Sequence, residues 1–257
     1  MVWIGILAVC LVVALALWAA GEAMVLRRRV ETREGAGPAV ALPQEVRALA
    51  ARMGARGAGR LARFRQVAEM EMAPGAGWQA LRARQWVALR ATGFVWLARV
   101  RGLGPFCAFS VIDAYAGGRG RLVARLAGLV PVARAGGPEI DRSEAMRYLA
   151  ELPWAPDAIL ANGAIGWQVL ADGRLRASLG EVAVVFRLEG GEIVEMEAEG
   201  RPSLEGGTLV LRDWRGVFSE HGEIGGRRLP LRGEVGYLRE GVWVPYFRGR
   251  IVGYEVG

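Results

Sequence analysis

The chain has 257 residues, with 33 basic against 26 acidic side chains, a formal charge of +7, one histidine and two cysteines. Every basic residue is arginine, so chemistry that needs a lysine amine is excluded, including Schiff-base catalysis, pyridoxal phosphate attachment and the phosphate-loop and kinase lysines. His221, Cys10 and Cys107 cannot build a zinc site of the usual Cys/His spacing within one chain, so no metal and no cofactor is expected, with only a hard-cation carboxylate site left open.

Residues 1–20 carry no charged side chain, and at about 1.5 Å rise per residue they span roughly 30 Å, the thickness of a bilayer's hydrocarbon core. Trp3 and Trp18 lie near the two ends, and Arg27, Arg28, Arg29 and Arg33 follow. This pattern predicts a single transmembrane anchor over residues 1–26 and a basic tether over 27–41, with the remaining domain on the cytoplasmic side. The bilayer is thus the first expected partner, and Cys10, inside the anchor, cannot reach Cys107 to form a disulfide. Two other readings use the same residues. A cleaved signal peptide would lack the usual positive start but could end at Ala19-Ala20-Gly21, leaving the domain outside the cytoplasm. Leu7-Ala8-Val9-Cys10 outlines a lipobox, with Val9 too bulky before the cysteine.

Residues 42–257 read as one soluble, mainly β domain. Leu42, Val46, Leu49 and Met53 recur at helical spacing behind Pro43, and Gly54 and Gly57 end that helix. From Phe64 the period becomes two. Phe64, Gln66, Ala68, Met70 and Met72 take one face of a strand, and Arg65, Val67, Glu69 and Glu71 the other. Strand-like runs follow to residue 126, separated by glycine-bearing turns such as Pro74-Gly75, residues 102–105 and Gly117-Gly118. Asp141 and Glu144 are spaced as a capping box for a helix that Pro153 stops, and a second short helix is expected between Pro156 and Asn162-Gly163. Strands then resume from Ile165 to Val256, with a hairpin turn at Asp172-Gly173 and separate strands over 208–214 and 215–221. About a dozen strands cannot lie flat, because a sheet of that size curls or closes. The expected fold is α+β, mainly antiparallel β, a strongly curved sheet or open half-barrel with a central helical insertion.

Certain residues occur in an ordered set. They are Phe94-Val95-Trp96-Leu97-Ala98, then Asp113-Ala114-Tyr115 with Gly118, Gly120 and Leu122, Gly137-Pro138-Glu139, Arg147 to Pro156 (RYLAELPWAP), Gly233-Glu234-Val235 and Tyr246 to Arg250 (YFRGR). This set resembles a bacterial family of domains of unknown function over residues 42–257. The order of strands, helices and strands is more remotely similar to the lipoprotein-carrier class, half-barrels that hold acyl chains. The first resemblance implies a fold and no reaction; the second implies an apolar ligand and, since those carriers are exported, a domain outside the cytoplasm.

The candidate site residues follow from composition. Asp113 and Glu139 are acids in the basic half of the chain, where residues 1–142 hold 20 arginines against 9 acids. A raised pKa would fit them as an acid/base pair, and pairing with arginine, for which Arg119, Arg142 and Arg147 are near in sequence, would fit them as structural ions. Ser219 and His221 lack an orienting acid and a nucleophile elbow. Gly117-Gly118-Arg119-Gly120 opens a strand instead of a helix, which removes the dipole argument for phosphate. Phe94, Trp96, Tyr115, Trp154 and Trp167 supply core packing or, more sharply, the wall of an apolar cleft on the concave face of the sheet. The arginines are scattered through the strands and interleaved with acids, with no nucleic-acid motif, so no nucleic acid is expected as a partner. The leading expectation is a membrane-tethered, non-enzymatic domain that binds a lipid or other apolar ligand. The alternatives are an enzyme built on carboxylates and arginines, or a structural module that docks a partner. The sequence sets no oligomeric state.

Overall fold

The computed structural model describes residues 2–39, 41–72, 75–101, 107–205 and 208–257, without the side chains of residues 2–5, 7–9 and 204. The expected turns at Pro74 and over residues 102–105, the ring of Phe106 and the indole of Trp3 lie outside the described residues.

Among the described residues thirteen antiparallel strands form one sheet in the order β6-β5-β4-β3-β2-β1-β13-β12-β11-β10-β9-β8-β7. Strands β1 (Leu61–Glu71), β2 (Trp78–Ala88), β3 (Gly93–Arg101), β4 (Cys107–Ala116), β5 (Arg119–Leu126) and β6 (Val130–Ala135) make one meander. Strands β7 (Gly166–Val169), β8 (Leu175–Leu179), β9 (Val182–Glu189), β10 (Glu192–Glu205), β11 (Thr208–Ile224), β12 (Arg227–Arg239) and β13 (Val242–Val256) make the other. The first and last strands, β1 and β13, pair at the centre of the sheet, from Ala62↔Val256 to Met70↔Phe247. Helix α1 (Val2–Glu31) and helix α2 (Gln44–Arg52) precede the sheet, while α3 (Pro138–Ala150), a 3-10 turn (Leu152–Trp154) and α4 (Pro156–Ala161) connect its two outermost strands.

That connection shows how far the sheet curls. Helix α3 touches both β5 and β10, which stand eight places apart in the strand order. Laid flat they would be roughly 38 Å apart at the usual strand spacing, far beyond what one helix about 10–12 Å across could bridge. The sheet is therefore wrapped around the helices, and the expected half-barrel with a central helical insertion is the fold. Its concave face holds the main core, in which Phe64, Phe94, Trp96 and Phe186 from the strands meet Met146, Leu149, Trp154 and Ile159 from the helical segment. Gly233 lets the Trp154 ring approach β12, since a Cβ there would lie 2.7 Å from Cζ2.

A second, smaller core lies on the outer face. Leu26 and Val30 of α1 pack on Leu61, Ala88, Val95, Ile112, Ala114 and Val123. The arginine run Arg27–Arg29 thus lies within the helix, whose last two turns rest on the sheet.

Three local expectations differ from the structure. Helix α3 begins at Pro138 instead of at Asp141, because Pro138 supplies a preset φ at the first turn; Asp141 caps no helix and instead accepts from Gly120 N at 2.7 Å. The run 130–135, without strict alternation, is a strand because it pairs along β5. Residues 208–224 form one strand, β11, long enough to pair with β12 from Trp214 to Ile224.

Candidate functional site

Two charged regions are built on opposite faces of the same strands. The inner one is centred on Arg147, in the last turn of α3. Its guanidinium pairs with Asp113 of β4 and, through Nε at 2.9 Å, with Glu151. It also stacks over Phe94 at 4.8 Å and Trp96 at 5.0 Å. Glu151 further accepts from Gln85 Nε2, and the Trp96 indole donates to Gln66 Oε1 at 3.0 Å. One turn earlier on α3, Glu144 lies 3.8 Å from Arg201, whose guanidinium covers Trp214 at 4.4 Å and bonds the Tyr237 hydroxyl.

Three carboxylates therefore share two guanidiniums in a buried space. Burial, with repulsion from Asp113, pushes the Glu144 carboxyl up to about 8 against the pull of Arg201 and Arg147. Burial opposes the charge of Arg147, but Glu151, Asp113 and Glu144 outweigh it and raise its pKa above the ordinary value. With Glu144 protonated the cluster is neutral, which is how such a group survives inside a core. Asp113 Oδ1 and Glu144 Oε2 have no hydrogen-bond partner among the described residues.

The residues singled out in the sequence are placed as follows. Asp113 belongs to this buried cluster, whereas Glu139 is exposed in the first turn of α3. Phe94, Trp96, Tyr115 and Trp154 are all buried. Burial first, then Asp141, raises the Tyr115 pKa against Arg33. Trp154 donates to Pro230 O at 2.8 Å and meets Phe218 edge-on, and Trp167, half-buried, stacks on Phe186 at 6.3 Å. The helical segment thus fills the concave face where these aromatic rings lie. His221 is half-buried, with Nε2 2.9 Å from Ile193 O, and Glu220 at φ 56° interrupts the extended backbone between it and Ser219.

The outer region was not foreseen as a site. It is an open groove of about 1400 Å³ over β12, β13, β1, β2 and β3, lined by Arg65, Arg82, Arg84, Arg99, Arg101, Arg232, Arg248 and Arg250. Register puts Arg65 opposite Arg84, Arg82 opposite Arg99, and Arg232 opposite Arg250. Like charges directly opposed across strands destabilise a sheet. Arg248 is balanced by Glu69, and Arg232 and Arg250 by Glu220. Arg65, Arg82, Arg84, Arg99 and Arg101 form no salt bridge among the described residues. Between them Val67, Leu97, Val252 and Trp86 give the groove an apolar floor. The signal was present in the sequence as repeated pairs of arginines two apart, Arg63 and Arg65, Arg82 and Arg84, Arg99 and Arg101, Arg248 and Arg250. On a strand this spacing sets both side chains on one face. What the sequence does not show is that β13 pairs with β1, which joins the pairs into one surface.

Fold and site together define a half-barrel with a helical plug, a buried ion cluster inside and an arginine groove outside. The chain belongs to a family of unknown function (DUF6544), whose model matches residues 34–249. No curated protein matches it. Among solved structures it is similar to a LolA superfamily protein from Nitrosomonas europaea, at 11% identity and a TM-score of 0.45, covering 85% of this chain and 94% of that one. It is also similar to a DUF1329 family protein from Desulfovibrio piger, at 12% identity and a TM-score of 0.39, covering 83% and 94%. These likenesses are remote and carry none of those proteins' properties to this chain.

Proposed function

We propose that this protein is a membrane-anchored binding module whose ligand is an anionic amphiphile, a phospholipid or a molecule of that chemistry. The observation that carries the reading is the groove, where five arginines without carboxylate partners among the described residues surround an apolar floor. An anionic headgroup relieves the cross-strand repulsion at Arg65/Arg84 and Arg82/Arg99 through charge-assisted hydrogen bonds. Val67 and Val252, both exposed in the groove, would cover part of an acyl chain. The ligand sits on the outer face because the helices occupy the inner one.

The anchor is α1, a helix that is long and apolar enough to cross a bilayer by length and composition and whose N-terminal part, before the contacts of Trp18, Glu22, Leu26 and Val30, is free of the sheet among the described residues. Residues Arg27–Arg29 at its end favour a cytoplasmic domain under the positive-inside tendency. A reporter fused after Gly257 tests that side directly. The buried cluster has the character of a structural ion group, so the reading assigns no catalysis to it.

The binding test uses the full chain in detergent with native mass spectrometry, offering phosphatidylglycerol and phosphatidylcholine of equal acyl length. Preferential retention of phosphatidylglycerol, lost in Arg82→Glu/Arg84→Glu, supports the reading. Equal retention of both lipids, or retention unchanged by the double substitution, overturns it.

A further inference from the structure

We infer that one end of the half-barrel, the end carrying the β1–β2 and β5–β6 connections, rests on the surface of the bilayer that holds α1, with its exposed apolar side chains among the headgroups. The inference rests on the reading of α1 as an anchor and adds an orientation to it.

The direction of α1 comes from its contacts. Val30 lies against Gly93, at the start of β3. Two turns earlier Glu22 pairs with Arg121 and Arg125 of β5. Trp18 is covered by Arg125 at 5.5 Å and Arg134 at 4.8 Å. Register aligns Gly93 with Ala116 and Arg119 at one end of the strands, and Ser110 with Arg125 near the other. Toward its N-terminus the helix therefore runs diagonally from the Gly93 end to the Leu126 end. Residues 2–17, about 24 Å of helix, continue past that end of the sheet.

The exposed apolar side chains are distributed in the same sense. Met72 and Trp78 flank the β1–β2 connection, and Leu126, Val130 and Val132 flank the β5–β6 connection, all exposed at the end toward which α1 runs. On the other meander Val242 is exposed at the start of β13, which the Met70↔Phe247 pairing brings to the same end. At the opposite end the connections Leu89 to Thr92, Gly117-Gly118, Gly190-Gly191 and Gly225-Gly226 expose no large apolar side chain. Clustering of this kind at one rim marks an interaction surface. The occupant is a lipid surface because the rim lies where α1 leaves the sheet, and because Trp18 between two guanidiniums is the composition favoured at headgroup level. Arg134, exposed beside it, and Arg101, at the end of β3, add attraction for anionic lipid. Glu71 at the same end accepts from Gly75 N at 3.0 Å and so bends its carboxylate back over the β1–β2 connection.

The test uses the full chain with Cys10→Ser and Cys107→Ser, reconstituted in mixed phosphatidylcholine and phosphatidylglycerol vesicles. Single cysteines from Trp78→Cys, Val132→Cys and, at the far end, Arg119→Cys carry an environment-sensitive fluorophore. All three positions are exposed, so the fold tolerates the label. The expected result is several-fold stronger quenching by nitroxide lipids at residues 78 and 132 than at 119, with weaker quenching by aqueous iodide. Equal quenching at the three positions, in a chain that stays with the vesicles through an alkaline carbonate wash, overturns the inference and leaves the anchor standing. Release of the chain by the wash overturns the anchor reading, and this orientation with it.

Discussion

Replacing Glu144 with glutamine should remove most of the pH dependence of stability between about pH 4.5 and 8. Glu144 is fully enclosed, and among the described residues its Oε2 has no hydrogen-bond partner and its ion-pair partner, Arg201, is 3.8 Å away. Burial and the neighbouring Asp113 raise its carboxyl from the ordinary 4.5 to about 8. The folded protein therefore keeps a proton that the unfolded chain releases above pH ~4.5. With more protons bound in the folded state, stability must fall as pH rises through this window, at up to about 1.4 kcal/mol per pH unit for one group. Below the window the contribution is fully present, and above pH ~8 it has been lost. Glutamine keeps the shape and cannot ionise. The wild type and Glu144→Gln should thus differ little near pH 5, while the variant should be the more stable by a few kcal/mol near pH 8.5. Urea unfolding of the full chain in detergent, followed by tryptophan emission from pH 5 to 9, measures this. Parallel pH profiles for the two proteins would refute the reasoning, because they would mean that Glu144 is ionised in the fold.

Three further outcomes follow from the same contacts. Arg147→Met leaves Asp113 and Glu151 buried without their shared cation, and should cost about 3–5 kcal/mol in urea unfolding at pH 7. Asp157, fully buried in α4, accepts from Arg227 at 2.6 and 2.9 Å and from Arg56 N at 2.9 Å; Asp157→Ala should cost a similar ~3–5 kcal/mol and speed amide exchange at residues 54–56 and 226–228. Gly233→Ala drives a methyl into the Trp154 ring, and thermal unfolding should show a loss of about 1–3 kcal/mol together with changed tryptophan emission.

Local order was legible in the sequence wherever one period dominates. The alternation from Phe64 to Met72 reports β1 because a strand with one buried face must repeat every two residues. Pro43 before an apolar stripe reports α2 for the corresponding helical reason. Legibility fails where a contact distant in sequence decides. Asp141 reads as a helix cap, but the backbone of Gly120 takes it, and Pro138 starts the helix. Residues 130–135 have no periodic signature and are a strand by virtue of β5. The inner site was half visible. Asp113 stood out as an acid among arginines, with Arg147 among the three nearest to it in sequence, but the choice of Arg147, and Glu144 and Arg201 beyond it, depend on α3 crossing from one wing of the sheet to the other. The arginine groove was missed because each pair of arginines, taken alone, is an ordinary solvated strand face.

The seam between the two meanders links the groove to folding. Arg65 comes from β1, Arg82 to Arg101 from β2 and β3, and Arg248, Arg250 and Val252 from β13, nearly the whole chain away in sequence. No single hairpin contains the site; its five arginines come from β1 to β3, and the groove is complete only when β13 has paired with β1. Like charges face each other across the two pairs that flank the seam, Arg65/Arg84 between β1 and β2 and Arg232/Arg250 between β12 and β13, and an anion in the groove relieves them. A ligand that binds only this assembled surface must stabilise the fold by mass action, about 2.7 kcal/mol at one hundred times its dissociation constant. Under the proposed reading, short-chain phosphatidylglycerol therefore raises the unfolding midpoint of the full chain, and raised salt, which screens the arginines, narrows the difference between the free and loaded protein.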